Sequence, residues 1–326
     1  MLLVACGNDQ RLPEYQLSGS TMGTTFNVKL VAPGEHVDRD RLRIRLDEAL
    51  EAVDQLTSTW REDSQLSQFN ANSSTDWIAV TAEFCEAIEN ALAVSRQSSG
   101  AFDVTVGPLV NLWGFGPDGE RGEPPDAAAL DAVLADVGYE GLATRCDTPA
   151  VRKRSSNIYI DLSGWAKGYG VDRLAAVLDE YRLKDYLVEI GGELRVHGRN
   201  AEGKKWAIAI ETPSTTARQL HSVLRITDAS VATSGDYRNF FDHDGKRYSH
   251  TIDARTGRPV THDLAAVTVI SETAAYADAM ATALLVLGPE VGLTLAEDLG
   301  VAGYFLVRNK TGIRELTTSS FDLLRN

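Results

Sequence analysis

The chain has 326 residues, of which 43% are hydrophobic and 24% are charged, and its formal net charge at pH 7 is −14. This composition is typical of a globular protein with a large core, built as one domain or as two lobes, and it excludes wholesale disorder. So acidic a chain is a poor candidate for binding nucleic acid, and an anionic ligand would need local Lys or Arg, a helix N-terminus or a metal ion to hold it.

The N-terminus carries a short apolar run, residues 2–5, that leads into Cys6. The run resembles a bacterial lipobox, in which the cysteine is lipidated after cleavage; the alternative is a chance cysteine near the terminus. We expect residues 1–16 to be a lipobox remnant and tether, residues 17–326 to form the folded domain, and a lipidated Cys6 to attach the chain to a membrane. The sequence has no run of 18 apolar residues, so it predicts no membrane-spanning helix.

The first part of the chain alternates a strand with amphipathic helices. Within residues 17–31, the Ser/Thr/Gly-rich residues 18–25 predict a turn, and the alternation of Phe26, Val28 and Leu30 with polar neighbours predicts the strand that follows it. Apolar residues at helical spacing predict a helix at residues 38–56. Residues 61–77 are predicted to be a loop. Thr81 is the expected N-cap of the next helix, which ends at residues 98–100.

The three cysteines show no CxxC or Cys/His spacing, which excludes a typical structural zinc site. Cys85 lies within the helix that follows Thr81 and is expected to be a small buried side chain. A disulfide between Cys85 and Cys146 is a further interpretation that the sequence leaves open.

Residues 101–116 are dense in Phe, Trp and Gly. Such a segment suits a loop pressed against a flat ring or an aromatic minicore, and its composition favours the minicore. Residues 114–119 formally match GxGxxG, but they contain a proline, follow no clear strand and open no helix, so we reject a dinucleotide site. Residues 116–125 are predicted to be an exposed loop, and residues 127–137 a short helix.

The most informative stretch is residues 157–193. It predicts, in order, a strand at residues 157–160, a glycine-rich loop at residues 161–170, a helix from Val171 and a strand at residues 186–190. The loop holds Asp161 and Lys167. Because a loop that enters a helix N-terminus offers free N–H groups to an anion, this stretch indicates a phosphate-binding element.

The rest of the chain predicts further strands and one apolar helix. In chain order these are strands at residues 205–211, 222–227 and 264–270, a helix at residues 273–287, and a closing hairpin of residues 305–307 and 313–316. Large apolar residues alternate with alanine in the first of these strands, so we expect both of its faces to be buried. The irregular alternation of helices and strands indicates an α+β fold with mixed or antiparallel sheets and packed helices.

Two polar residues interrupt the apolar helix at residues 273–287. Asp278 and Thr282 are four residues apart and therefore share one face. A buried carboxylate must be paired, hydrogen-bonded or bound to a metal, and carboxylate and hydroxyl oxygens suit Mg²⁺ beside a phosphate. A hydrogen bond between the two residues, or an ion pair between Asp278 and Lys167, explains the pattern equally well.

His250 lies in a polar turn between Ser249 and Thr251. Histidine is the usual general base near neutral pH, but a lone histidine in a loop is more often an ordinary polar residue. The chain has no GxSxG elbow, P-loop, HExxH or EF-hand loop, which excludes the enzyme and binding classes that depend on those motifs.

Six segments together resemble the ApbE family of FAD:protein FMN transferases. They occur in the family's order and extend over about residues 17–307, nearly the whole chain. Each segment is short, but six of them in order are a specific match. They are residues 19–23, 102–116, 161–169, 191–193, 249–253 with 256–257, and 278–282.

The resemblance implies a fold, a reaction and a location. Family members have a catalytic domain related to the T-fold, bind FAD and Mg²⁺, transfer the FMN half of FAD to a threonine hydroxyl of a membrane redox subunit, and release AMP. Many are lipoproteins on the periplasmic face of the bacterial inner membrane, which agrees with an anchor at Cys6. The alternatives are an FAD pyrophosphatase, with water as acceptor, and a flavin-binding lipoprotein that is not a catalyst.

The resemblance also implies roles for individual residues. His250 would deprotonate the acceptor threonine. Mg²⁺ would be held by the Gly164 carbonyl, Asp278 and Thr282. FAD would be held by Met22, Trp60, Ala101, Phe102, Asp103, Asp161, Lys167 and Ile252. The sequence departs from the family at Ala254, where the family commonly has proline.

Overall fold

The computed structural model of the chain describes residues 11–34, 37–116, 122–213, 219–237 and 239–325. Cys6 and the first ten residues of the predicted tether lie outside the described residues, as does part of the loop predicted at residues 116–125. The first strand begins at Glu14, so the sheet already includes the last residues of the segment that we predict to be a tether.

Helices and strands alternate irregularly, as the sequence predicts. The helices of the described residues are α1 (Arg39–Thr57), α2 (Gln65–Ala71), α3 (Ala82–Gln97), α4 (Gly107–Leu112), α5 (Ala127–Leu134), α6 (Ser163–Glu180), α7 (Ala274–Asp298) and α8 (Ser319–Arg325). The strands of the same residues are β1 (Glu14–Thr21), β2 (Thr24–Val31), β3 (Ile78–Ala79), β4 (Leu142–Arg145), β5 (Ala150–Lys153), β6 (Tyr186–Ile190), β7 (Glu193–His197), β8 (Trp206–Glu211), β9 (Leu220–Ile226), β10 (Ala229–Gly235), β11 (Phe240–His243), β12 (Lys246–Ser249), β13 (Ile252–Asp253), β14 (Arg258–Pro259), β15 (Leu264–Ser271), β16 (Ala302–Asn309) and β17 (Gly312–Thr317). Thr81 caps α3, as predicted, because its Oγ1 accepts the Phe84 N–H.

An eight-stranded antiparallel sheet is the centre of the fold, with the strand order β1-β2-β6-β7-β10-β15-β16-β17. A three-stranded sheet, β3-β5-β4, and three two-stranded sheets, β8-β9, β11-β12 and β13-β14, complete the pairing of the described strands. The predicted α+β class is therefore confirmed, and the predicted closing hairpin is the β16–β17 pair.

Helix α7 packs against α6 and against the central strands β10 and β15. Its Met280 is fully buried in one apolar cluster with Val267 of β15. In length and composition α7 could cross a membrane, but 56% of its apolar window is buried inside the protein. Gly288, with a φ of 79°, breaks the helix before Pro289, which agrees with the end predicted at residue 287.

Helix α6 begins at Ser163, well before the predicted start at Val171, so the interpretation of residues 161–170 as a loop is wrong. The glycines of this segment permit close packing rather than turns. A Cβ on Gly168 would lie only 2.2 Å from the Ala274 carbonyl oxygen at the start of α7. The backbones of α6 and α7 therefore approach more closely here than any other residue would allow.

Residues 157–160 are not a strand, contrary to the prediction. The side chain of Asn70 takes the place of a neighbouring strand. Its Nδ2 donates to the Ile160 carbonyl oxygen at 2.8 Å, and its Oδ1 accepts the Ile160 N–H at 2.8 Å. The Asp161 N–H donates to the Val104 carbonyl oxygen. These bonds satisfy the backbone without a ladder.

Strand β8 is buried on one face only, so the expectation of two buried faces is wrong. Trp206, Ile208 and Ile210 are buried, whereas Ala207 and Ala209 are exposed. The cause is that β8 pairs with β9 in a separate two-stranded sheet rather than within the main sheet.

The sequence predicts a loop or no element at several places where the structure has a helix or a strand. These elements include α2, α4, α8, β7 and β10.

Two expectations concerned side-chain packing. Cys85 is bonded to Cys146, with 5.6 Å between the Cα atoms, so the disulfide that the sequence leaves open is present. Trp113 lies in a small apolar cluster with Leu109 and Leu130, and its Nε1 donates to the Gly257 carbonyl oxygen. The predicted minicore is therefore present around Trp113, whereas Phe102 and Phe115 of the same segment line a cavity, so the alternative of a loop pressed against a flat ring stays a prediction.

Candidate active site

A cavity of about 610 Å³ opens where α6, α7 and the end of β10 meet the segment before α4 and the loop after β12. Of the residues predicted for the site from the sequence, all but Met22 line this cavity. They are Trp60, Ala101, Phe102, Asp103, Asp161, Gly164, Lys167, His250, Ile252, Asp278 and Thr282. The fold therefore brings the start of α6, the face of α7 and the His250 loop together.

Lys167 lies between two buried carboxylates. Its Nζ is 3.6 Å from Glu193 Oε1 and 3.7 Å from Asp278 Oδ2. Burial alone would lower the pKa of Lys167, but the two carboxylates outweigh it and raise the pKa, so the ammonium stays charged. Burial raises the pKa of Glu193 to about 7, against the opposing effect of Lys167. The cluster fixes a cation in the wall of the cavity.

Asp278 and Thr282 lie one turn apart on α7 and both line the cavity. Asp278 is buried, and its Oδ2 accepts the Gly168 N–H at 3.1 Å. This bond ties Asp278 to the backbone of α6 four residues after Gly164. A Cβ on Gly164 would lie 3.4 Å from Thr282 Oγ1, which shows that α6 and α7 touch at this point.

The oxygen donors of this cluster fit Mg²⁺. Carboxylate, hydroxyl and carbonyl oxygens are hard donors, and proteins usually bind Mg²⁺ through one or two carboxylates together with water and the phosphates of a substrate. Within the part of the chain that the structure describes, no group of three or more His, Cys, Asp or Glu side chains could hold a metal ion. Asp278, Thr282 and the Gly164 carbonyl are the groups that could hold such an ion together with water and the phosphates of a ligand.

His250 lines the same cavity from the loop after β12. Its Nδ1 is 3.0 Å from the Asn239 carbonyl oxygen. Because a carbonyl only accepts, Nδ1 carries the proton and Nε2 carries the lone pair of the neutral ring. Burial lowers the pKa of His250, and the Lys167 ammonium acts in the same direction. The neutral ring is therefore favoured, and its Nε2 has no hydrogen-bond partner among the residues that the structure describes.

The sequence agrees with a known family over most of its length. The model of the ApbE family matches residues 22–305. The chain belongs to the ApbE family.

Relatives and solved structures agree with this assignment. The chain is 41% identical over 320 residues to the FAD:protein FMN transferase of Vibrio cholerae, which covers 98% of this chain and 95% of the relative. It is 38% identical over 327 residues to the FAD:protein FMN transferase of Haemophilus influenzae, which covers 99% and 94%. The structure of the flavin transferase ApbE from Vibrio cholerae superposes with a TM-score of 0.89 at 40% identity, covering 96% of this chain and 99% of the other. That of the Pseudomonas stutzeri flavinyl transferase ApbE, apo form, gives 0.87 at 39% identity, covering 96% and 97%.

In this ApbE-family protein, Asp103 and Asp161 organise the backbone around the cavity. Asp103 is buried; its Oδ1 accepts the Thr105 N–H at 2.8 Å and its Oδ2 accepts the Tyr139 N–H at 2.9 Å. Asp161 Oδ1 accepts the Ser163 N–H at 2.7 Å, at the first residue of α6. Both carboxylates therefore hold in place the backbone segments that form the wall of the cavity, and this role does not depend on a ligand.

Trp60 and Met22 differ in their placement. Trp60 is 73% exposed and lies at the rim of the cavity. Met22 occupies the turn between β1 and β2, with a φ of 47°, and is not among the described residues that line the cavity. Its Cε would be 3.1 Å from a Cβ on Gly170 of α6. The flavin-binding role that the resemblance implies for Met22 stays a prediction.

Several residues of the ApbE-family cavity received no role from sequence reasoning. Glu193 is 5% exposed, and its Oε2 has no hydrogen-bond partner within the described ranges. A carboxylate directly after Gly191-Gly192 at the end of a buried strand is the signal that could have identified it. Asn239 acts through its backbone carbonyl, so no side-chain pattern reveals it. Ser234 of β10 also lines the cavity. Because the sequence does not predict β10 as a strand, it gives no indication of which way the Ser234 side chain faces.

Proposed function

We propose that the chain is an Mg²⁺-dependent FAD:protein FMN transferase, which transfers the FMN half of FAD to a threonine hydroxyl of a protein acceptor and releases AMP. The names of its full-length relatives support the flavin transfer. The observation that carries the finer proposal is that His250, Lys167 and the Asp278–Thr282 pair line one cavity. A protein that only binds flavin needs no base beside a cluster of hard oxygen donors.

The acceptor threonine is the nucleophile in this scheme. Neutral His250 accepts the hydroxyl proton at Nε2 while the threonine oxygen forms a bond to the phosphorus of the FMN half. The bond between that phosphorus and the bridging oxygen of the pyrophosphate breaks, and AMP leaves with the bridging oxygen. The Asn239 carbonyl accepts from Nδ1 and stabilises the imidazolium that forms. A positioned general base of this kind typically contributes about 10²–10⁴-fold in rate.

The cavity must also accept the negative charge of a pyrophosphate within a chain whose net charge is −14. Lys167 supplies a fixed ammonium, held by Glu193 and Asp278, so no reorganisation is needed when charge develops on the phosphate. Asp278, Thr282 and the Gly164 carbonyl would hold Mg²⁺. When bound there, the ion would neutralise charge on the phosphate oxygens.

The acceptor and the location are proposed from the family resemblance together with the N-terminal run. We propose that Cys6 is lipidated and holds the enzyme on the periplasmic face of the bacterial inner membrane, where it meets a flavin-accepting subunit of a membrane redox complex. The resemblance of residues 2–6 to a lipobox supports this. Expression with a clickable palmitate analogue tests it: the label should enter the wild-type protein and not Cys6→Ser, and an unlabelled wild type would exclude the anchor.

The transfer itself is tested with FAD, MgCl₂ and a threonine-bearing acceptor subunit. The acceptor band should fluoresce on a denaturing gel, and tandem mass spectrometry should place FMN on one threonine through a phosphoester. An acceptor with that threonine changed to alanine is the matched control, and EDTA should prevent labelling. If FAD is split while the acceptor gains no mass, the enzyme is a pyrophosphatase and the transferase proposal is wrong.

A further inference from the structure

The hydroxyl of Thr282 forms a hydrogen bond to a neighbouring element. Ser234 Oγ, on the central strand β10, lies 3.1 Å from Thr282 Oγ1 on α7, and both residues line the cavity. We propose that Ser234 is a positioning residue that orients the Thr282 hydroxyl for metal binding. The inference rests on the proposed Mg²⁺ dependence and adds to it a residue that does not itself bind the metal.

Each of the two hydroxyls has a single proton to donate. A hydroxyl has one O–H donor and two lone pairs, so a threonine that gives a lone pair to a cation must direct its proton at another acceptor. In a helix the usual acceptor is the carbonyl of the preceding turn, a bond that slightly destabilises and often bends the helix. Ser234 Oγ offers Thr282 an acceptor outside α7. When Thr282 donates to Ser234, its lone pairs are left for the metal.

The sheet holds Ser234 in a fixed place. Ser234 pairs with Val267 of β15 in the middle of the eight-stranded sheet. The next residue along β10, Thr233, makes a similar hydroxyl pair with Thr268 of β15 at 2.8 Å. Because pairing with β15 holds the backbone of Ser234 in place, the Ser234–Thr282 bond restrains the rotamer of Thr282 relative to Asp278. Partners that orient metal ligands in this way typically change metal affinity by about 10–100-fold when they are removed.

Metal binding to the full chain tests the inference without turnover. Mn²⁺ is titrated in the presence of ADP, which supplies phosphates but carries no FMN. The enhancement of water-proton relaxation distinguishes protein-bound Mn²⁺ from Mn²⁺–ADP in solution, and a titration with ADP alone gives the baseline. Ser234→Ala should weaken Mn²⁺ binding about tenfold. Ser230→Ala is the matched control, because Ser230 is a buried serine on the same strand whose Oγ donates to the Glu272 carbonyl at 3.2 Å, outside the cavity. That control should bind Mn²⁺ like the wild type.

A double-mutant cycle separates positioning from a general packing effect. If Ser234 acts through the Thr282 hydroxyl, Ser234→Ala should cause no further loss of Mn²⁺ affinity in a Thr282→Val background. An equal loss in both backgrounds, or wild-type affinity in Ser234→Ala alone, overturns the inference and leaves the proposed transferase standing. A wild-type chain that binds no Mn²⁺ with ADP overturns both the metal dependence and the role of Ser234, whereas flavin transfer is decided separately by labelling of the acceptor.

Discussion

The close contact between α6 and α7 predicts that Gly168→Ala damages both the fold and the proposed metal site. A Cβ at Gly168 would lie 2.2 Å from the Ala274 carbonyl oxygen, 2.5 Å from its carbonyl carbon and 2.7 Å from the Ala275 Cα. All three are backbone atoms, so no side-chain rotation relieves the overlap. One helix must move by about 1 Å relative to the other before ordinary van der Waals contact is restored.

The size of the effect follows from two opposing contributions. Alanine is more favourable than glycine inside a helix by about 1 kcal/mol. Overpacking a rigid contact costs about 1–3 kcal/mol and occasionally more, and an overlap with backbone belongs at the upper end. We therefore expect Gly168→Ala to lose about 2 kcal/mol of unfolding free energy.

Gly170→Ala is the control, because it lies in the same helix and carries the same gain in helix propensity. A Cβ there would meet only the flexible ends of Ile190, at 3.0 Å from Cδ1, and Met22, at 3.1 Å from Cε. Its net change should stay within about 1 kcal/mol.

Urea unfolding followed by circular dichroism gives the free energies of unfolding of both variants, and Mn²⁺ titration with ADP reports on the site. Gly168→Ala should also bind Mn²⁺ more weakly, because Gly164 on α6 shifts relative to Asp278 and Thr282 on α7. If Gly168→Ala is as stable as Gly170→Ala and binds Mn²⁺ normally, the packing argument is refuted, and the glycines of α6 need another explanation.

Three further predictions concern titratable groups in the cavity. His250→Asn should lower kcat by about 10²–10⁴-fold while the KM for FAD and the free energy of unfolding stay close to wild type, as measured by AMP release and urea unfolding; a loss confined to KM would exclude its role as base. Since only the neutral ring accepts a proton and burial lowers its pKa, the acidic limb of kcat/KM for the wild type should have its midpoint below about 6.5, and a midpoint above that value would point to another group. Because folding raises the pKa of Glu193, its protonated carboxyl stabilises the fold below the unfolded pKa, and this contribution is lost as pH rises through about 7. The urea midpoint of the wild type should therefore decrease from about pH 5 to about pH 8, and it should decrease less in Glu193→Gln.

The sequence predicts well those helices and strands whose apolar residues recur at regular spacing along the chain. The stripe of α3 and its Thr81 cap, and the nearly continuous apolar run of α7, depend on neighbours within the same helix. Periodicity records such neighbours directly. The start of α6 could not be predicted in this way, because the meaning of Gly168 depends on Ala274, which lies far away in sequence. A glycine in a sequence is equally compatible with a turn and with a close contact between two backbones.

The same distinction separates the site residues. Asp278 and Thr282 are visible in the sequence because polar residues in an apolar helix need an explanation, and the structure places both in the cavity. The base form of His250 depends on the backbone carbonyl of Asn239, and a backbone contact leaves no trace in the identity of the residue. The strand predicted at residues 157–160 is wrong because a side chain distant in sequence replaces the neighbouring strand. The Asn70 amide makes the hydrogen bonds to the Ile160 backbone that a paired strand would make.

The central claim is that a threonine hydroxyl, rather than water, receives the FMN half of FAD. The most direct measurement is the stoichiometry of AMP release against flavin bound to the acceptor, followed over time with excess FAD and Mg²⁺. The proposed mechanism predicts one AMP per flavinylated threonine, and little AMP when the acceptor is omitted or its threonine is changed to alanine. AMP and free FMN released at the same rate with and without the acceptor would contradict it.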